Sequence, residues 1–134
     1  MKIQESAENY LETIFVLSHK GNQVRSIDIA NQLDYSKPSV SIAMKNLRTQ
    51  GFIDTDQDGY ITLTIKGLKV AKSMYERHTL IADWLVFLGV DKEIAVGDAC
   101  KMEHDMSEES FMAIKKHIEG WKHMIYEQKK ERDE

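Results

Sequence analysis

The sequence predicts a mainly α-helical chain with a single β-hairpin, organised as a front half and a rear half. Three observations predict it. Apolar residues recur at helical spacing through most of the 134 residues. One turn, Asp58-Gly59, is flanked by short β-prone pieces. Charge is unevenly divided: from Lys20 to Lys72 eight Lys/Arg stand against five Asp/Glu, whereas from His78 to the end eight stand against thirteen. A mildly basic front joined to an acidic rear, within a total of −4, points to two jobs in one chain.

The elements follow in order. Tyr10, Leu11, Ile14, Phe15 and Leu17 predict a first helix over 6–18, stopped by Gly21. Ser26 is expected to cap a short second helix that turns Ile27, Ile29, Ala30 and Leu33 inward. After the turn Asp34-Tyr35-Ser36, Ser36 caps a third helix with Pro38 in its first turn, where a missing N–H costs little. Val40, Ala43, Met44 and Leu47 form its apolar stripe, and Gly51 closes it. Phe52-Ile53 and 60–63 form the hairpin, and a long helix runs from about Ile65 to Leu88, ended by Gly89. Asp91 opens a helix through Met106. Ser107 caps another to about Glu119, which Gly120 interrupts, and the charged tail frays at its last residues. The expected division is 1–72 and 73–134, joined through the long helix with no Pro/Gly-rich linker.

Composition excludes several classes. With 42% hydrophobic and 30% charged residues, the chain is globular rather than disordered. No apolar run approaches the roughly 20 residues of a membrane helix, so no membrane partner is expected. MKIQESAENY lacks the apolar core of a signal peptide, which makes a cytoplasmic location the expectation. One cysteine, Cys100, rules out an internal disulfide framework and leaves a thiol for metal or redox chemistry.

Helix, helix, tight turn, helix and hairpin is the order of a winged helix-turn-helix. The third helix exposes Ser36, Lys37, Ser39, Ser41 and Lys45, short hydroxyls that approach phosphates and base edges plus cations for the backbone. Pro38 stands among them, and Arg25 and Gln57 at the hairpin tip are placed to meet flanking phosphates or the minor groove. A solvated helix face would show the same Ser and Lys content; the complete element order favours double-stranded DNA. So modest a positive charge binds non-specific DNA weakly, so dimerisation is needed for useful affinity.

In the rear half ACKMEHDMS sets Cys100, Glu103 and His104 at i, i+3 and i+4, on one face of a helix. Together they offer S, O and N donors from one turn; alternatively, they are a polar stripe facing water with a small buried thiol. Asn9 and Glu12, at i and i+3 of the first helix, and His78, among apolar neighbours of the long helix, are further donors. Two rival functions use the same residues: a winged-helix regulator with Cys100 as a redox switch, and a zinc hydrolase, since C-K-M-E-H differs by one residue from H-x-x-E-H. The hydrolase lacks a second histidine-rich segment, so no enzyme activity is expected.

The chain resembles the diphtheria toxin repressor and manganese transport regulator family of metal-dependent transcriptional repressors. ENYLETIFVL, SIDIANQLDYSKPSVSIAMKNL, GYITLTIKG, ERHTLIADWL and GDACKMEHDMSEE carry the resemblance, from Glu8 to about Ile118. It implies a homodimer that binds a two-fold operator when charged with a divalent metal, through the recognition helix and wing, with the rear helices forming the dimer. It implies Cys100, Glu103, His104 and His78 as ligands, Glu12 as the manganese-type carboxylate, and Asn9 at the place of a methionine or aspartate ligand. Cys100 stands where manganese-type members have glutamate and points toward iron, while Glu12 points the other way. Val96 and Ala82 replace the histidine and glutamate of the iron-type ancillary site. The compact length is that of the manganese type, without an SH3-like domain. A thiolate favours Fe(II) or Zn(II) over Mn(II), but intracellular availability overrides the affinity of Zn(II), so the expected order is Fe(II), then Mn(II), then Zn(II).

Overall fold

The computed structural model describes the backbone of residues 5–132 and the side chains of 5–122. The described elements are α1 (Glu5–His19), α2 (Ser26–Leu33), α3 (Lys37–Thr49), β1 (Ile53–Thr55), β2 (Ile61–Leu63), α4 (Ile65–Phe87), α5 (Lys92–Asp105) and α6 (Glu108–Arg132). The expected fold class is the observed one: mainly α, with a winged helix-turn-helix followed by helices. Two compact units divide between Glu76 and Arg77, inside α4.

In the first unit, α1, α2 and α3 enclose a core of Leu11, Ile14, Ile29, Val40, Met44 and Leu47, each 5% exposed or less. The hairpin closes it: Ile53 pairs with Leu63 and Thr55 with Ile61, and the alternation turns Ile53 and Ile61 inward. Val24 adds an antiparallel bridge to Ile61, whose N–H donates to the Val24 carbonyl at 2.7 Å. The hairpin turn is held by the Asp56 carboxylate, which accepts from the N–H groups of Asp58 and Tyr60 at 2.9 Å each. Burial first, and the Tyr35 phenol second, raise the pKa of Tyr10 above its ordinary value.

Two expectations about α2 are corrected. Arg25, not Ser26, is the N-cap, because the Asp28 carboxylate accepts the Arg25 N–H at 2.9 Å and satisfies it from inside the helix. Ile27 is 38% exposed rather than inward, since the core-facing stripe of so short a helix is filled by Ile29 and Ala30. Asp34 ends α2 in the left-handed region (φ 57°), a conformation its short polar side chain tolerates, and sets up the tight turn. Ser36 caps α3 as expected, its Oγ accepting from the Ser39 N–H at 3.3 Å. The strands differ slightly from expectation: β1 begins at Ile53 and extends to Thr55.

At the junction of wing and α4, Gly67 packs its α-carbon on the backbone of Phe52; a Cβ there would fall 2.0 Å from the Phe52 carbonyl oxygen. The Thr64 N–H donates to that same oxygen at 3.1 Å. Thr64 Oγ1 donates to the Gly51 carbonyl at 2.7 Å and accepts the Gly67 N–H at 3.2 Å. The start of α4 is thus bolted to the segment that leaves α3.

In the second unit, Ile81 and Ala82 of α4 pack on Ala99 of α5, with Leu85, Met102 and Met106 around them. Gly89 (φ 102°) turns the chain out of α4 as expected. Gly120 does not interrupt α6, which runs through it to Arg132. A lone glycine costs a helix interior only about 1 kcal/mol, less than the surrounding turns supply. Where fraying of the last few residues is expected, the described backbone stays helical to Arg132, and 133–134 lie outside the described residues. No described helix is long and apolar enough to cross a membrane.

Candidate metal centre and nucleic-acid interface

Helical spacing brings Cys100, Glu103 and His104 to one face of α5, and their donor atoms lie within 4.8 Å of one another. Glu103 is fully buried and the His104 side chain is 1% exposed, so the trio is not a solvated stripe. The centre of the arrangement is the Glu103 carboxylate. Its Oε1 lies 3.3 Å from His104 Nε2 and its Oε2 lies 3.2 Å from His78 Nδ1, delivered by α4. Neither oxygen receives a hydrogen bond of good geometry.

Donors of these types could hold a cation. A buried carboxylate without hydrogen-bond donors is costly unless an opposite charge compensates it. Donors about 2.0–2.3 Å from one shared ion are themselves separated by about 3–3.5 Å, which is the spacing seen between Glu103 and each imidazole. Cys100, half-buried on the same face, adds a sulfur. His78, Cys100, Glu103 and His104 therefore fit a divalent transition metal with one carboxylate, two imidazoles and a thiol. Asn9 and Glu12 stand half-buried on α1, in the first unit, where the Asn9 backbone carbonyl accepts from Thr13 Oγ1 at 2.8 Å.

The α5–α6 corner is held by a residue the sequence reading passed over. Arg77, 5% exposed, donates from Nη1 to the backbone carbonyls of Glu103 (3.0 Å) and Met106 (2.7 Å) and from Nη2 to the Glu108 carboxylate (2.6 Å). Its guanidinium also lies over the Phe111 ring, 4.9 Å from the centroid. Its partners are backbone carbonyls 26 and 29 positions away, which no local pattern announces. The one signal was an arginine beside His78 in a helix otherwise turning apolar.

On the first unit, Ser36, Lys37, Pro38, Ser39, Ser41 and Lys45 are all exposed along the first three turns of α3, opposite the buried Val40, Met44 and Leu47. Ser36 Oγ donates to Ser39 Oγ at 2.7 Å, which orders the helix N-terminus. Gln57 is exposed at the hairpin tip between Asp56 and Asp58. Arg25 is exposed, its guanidinium lying 4.4 Å from the centroid of the Tyr60 ring of the wing. Ile42, 63% exposed beside Ser39 and Lys45, was missed. It stands off the stripe Val40-Ala43-Met44-Leu47, and that displacement was the available signal.

Residues 2–60 match the iron dependent repressor N-terminal DNA binding domain, and residues 64–130 match the iron dependent repressor metal binding and dimerisation domain. The chain belongs to the iron-dependent repressor family. This is the family of the diphtheria toxin repressor and manganese transport regulator, as the sequence motifs indicated, and its members are metal-dependent transcriptional repressors rather than enzymes. The chain is 37% identical over 112 residues to the transcriptional regulator MntR of Escherichia coli O6:H1, covering 84% of this chain and 72% of that protein. It is 32% identical over 109 residues to the iron-dependent repressor IdeR of Mycobacterium tuberculosis, covering 81% and 47% respectively. Among solved structures, the manganese regulator SloR superposes with a TM-score of 0.75 at 28% identity, over 89% of this chain and 55% of that one. The chain thus spans about half the length of the solved chain it matches. These similarities support a repressor over a thiol sensor or a zinc hydrolase.

Proposed function

We propose that this iron-dependent repressor family member is a metal-gated transcriptional repressor that binds a two-fold operator as a homodimer. The observation that carries the reading is Glu103, fully buried, with an imidazole nitrogen 3.2–3.3 Å from each oxygen, in a chain whose first unit is a winged helix-turn-helix. His78, Cys100, Glu103 and His104 hold the ion. Asn9 and Glu12 of α1 are the further oxygen donors that the family resemblance implies. When bound, the ion would supply fixed coordination directions, and the side chains would supply the donor preference. The chain catalyses no reaction in this reading.

The order of metals is Fe(II), then Mn(II), then Zn(II). Cys100 supports it, because a thiolate disfavours the harder Mn(II), and cellular availability outweighs the strong intrinsic affinity of Zn(II). Repression follows by linkage: metal binds more tightly to the DNA-competent conformation and shifts the population toward it. Lys37 and Lys45 neutralise phosphates, while Ser39, Ser41 and Ile42 face base edges. Arg25, Ser36, Pro38 and Gln57 complete the surface. Dimerisation is supported by the second unit's exposed apolar side chains, among them Phe87 (53%), Leu88 (54%), Ile94 (58%) and Trp121 (42%).

The test is DNA binding with each metal in turn, under anaerobic and reducing conditions. Activation by Fe(II) below the concentration needed for Mn(II) is expected. Activation by micromolar Mn(II) with none by Fe(II) would reverse the ranking, and no activation by any divalent ion would remove the reading.

A further inference from the structure

We propose that Arg77 is the positioning residue of the metal centre: it fixes the C-terminal turn of α5 against α4 so that Glu103 faces His78 and His104 together. The inference rests on the metal-site reading above and adds a residue that binds no metal.

The argument starts from the end of a helix. The last carbonyls of α5 have no intrahelical N–H partner, because the helix stops at Asp105 and Met106 is extended (φ −103°, ψ 135°). No glycine in the left-handed region closes this end. Instead, Arg77 Nη1 reaches across from α4 and donates to the carbonyls of Glu103 and Met106. Glu103 is thereby held twice by neighbouring residues of one helix: its backbone carbonyl by Arg77, its side chain beside His78 Nδ1 at 3.2 Å.

Residues 77 and 78 are consecutive, so any slide of α4 along α5 that moved His78 from Glu103 would also pull Arg77 from the carbonyls. The same guanidinium extends the hold to α6, through Glu108 at 2.6 Å and the ring of Phe111. The planar guanidinium does this from two nitrogens and a flat face; an ammonium carries its three donors on a single nitrogen and cannot reach the carbonyls, the carboxylate and the ring in the same geometry. The environment fits a positioning role better than an ion pair. Arg77 is buried, whereas the Glu108 side chain is 68% exposed and screened by solvent, so the pair's own contribution to stability is small.

The test uses the full-length protein with Co(II) as probe, read by thiolate-to-metal charge transfer and ligand-field absorption and by competitive titration. Wild type is expected to bind Co(II) with a thiolate band. Arg77→Lys, which keeps the charge, is expected to bind Co(II) about 10-fold more weakly with a changed ligand-field spectrum, and Arg77→Met more weakly still, in the range of about 10- to 100-fold for residues supporting a ligand. A lowered melting temperature with wild-type Co(II) affinity and spectrum in Arg77→Lys would show a stability role only and overturn the proposal. If Arg77→Lys does not fold, Arg77→Gln decides: its neutral amide keeps a donor and much of the side-chain volume but is too short to span both carbonyls. A weaker site with an altered spectrum is then expected, and wild-type binding overturns the proposal. Failure of the wild type itself to bind Co(II) would instead overturn the metal-site reading.

Discussion

His78 Nδ1 and Glu103 Oε2 stand 3.2 Å apart although they come from different helices and are separated in sequence by the rest of α4, a turn and most of α5. Together with His104 Nε2 at 3.3 Å from Oε1, this contact turns a carboxylate with no access to water into the middle of a three-donor cluster. Burying a carboxylate between imidazoles is a poor way to stabilise a fold, because removing a charge from water costs several kcal/mol. It is a good way to build a site whose affinity for a cation exceeds that of the unfolded chain.

The direct consequence is that Glu103→Gln and His104→Ala are expected to weaken metal binding severely. Each variant is expected to lose at least about 100-fold in affinity, more than the supporting residues of a metal site contribute, while circular dichroism shows retained helices. Calorimetric titration with Fe(II) or Mn(II) under anaerobic conditions checks this, and wild-type affinity in both variants would dissolve the site.

In the proposed site, Cys100 is the donor expected to discriminate between metals. Cys100→Glu replaces a soft donor by a hard one and is expected to raise affinity for Mn(II) relative to Zn(II) and Co(II). Competition titrations between these ions on the two proteins measure the ratio directly. An unchanged ratio would mean that sulfur is not bound to the ion.

Much of this was legible beforehand. Helical spacing placed all six helices, and the offsets 100, 103 and 104 put three donors on one face. Depth was not legible: the same spacing serves a solvated stripe, and only the packing of α5 on Ile81 and Ala82 of α4 decides that Glu103 is inside. Arg77 escaped because its partners are carbonyls, which carry no residue identity. Ser26 looked like a cap because serine often is one; Asp28 had already satisfied the Arg25 N–H. Gly120 looked like a break, although a glycine in a long helix costs too little to end it.

Two glycines offer a matched stability test. Gly67→Ala puts a methyl 2.0 Å from the Phe52 carbonyl, where backbone must move, and is expected to destabilise by about 2–3 kcal/mol, the range of overpacked sites. Gly120→Ala meets nothing within 4 Å on a helical backbone and is expected to stabilise by about 0.5–1 kcal/mol. Urea unfolding of the metal-free protein measures both, and a tolerated Gly67→Ala would contradict the tight wing junction.

On the DNA-reading face, charge and shape separate. Lys37→Ala and Lys45→Ala are expected to weaken binding across all sequences and to lower the salt slope by about one each. Ile42→Ala is expected to leave that slope intact and change base preference at one position, because an exposed apolar side chain can contact a thymine methyl. Salt-dependent binding curves on DNA selected from a random pool distinguish the two, and a slope that falls for Ile42→Ala would contradict the division.

The central claim is that a divalent ion at His78, Cys100, Glu103 and His104 controls DNA binding. Fluorescence anisotropy of a duplex selected with the Fe(II)-loaded protein, titrated in parallel with Fe(II) and with a chelator, tests it most directly. A coupling of about 1–3 kcal/mol predicts about 5- to 150-fold tighter binding with metal, lost in Glu103→Gln. Equal affinity with Fe(II) and with chelator would contradict the claim.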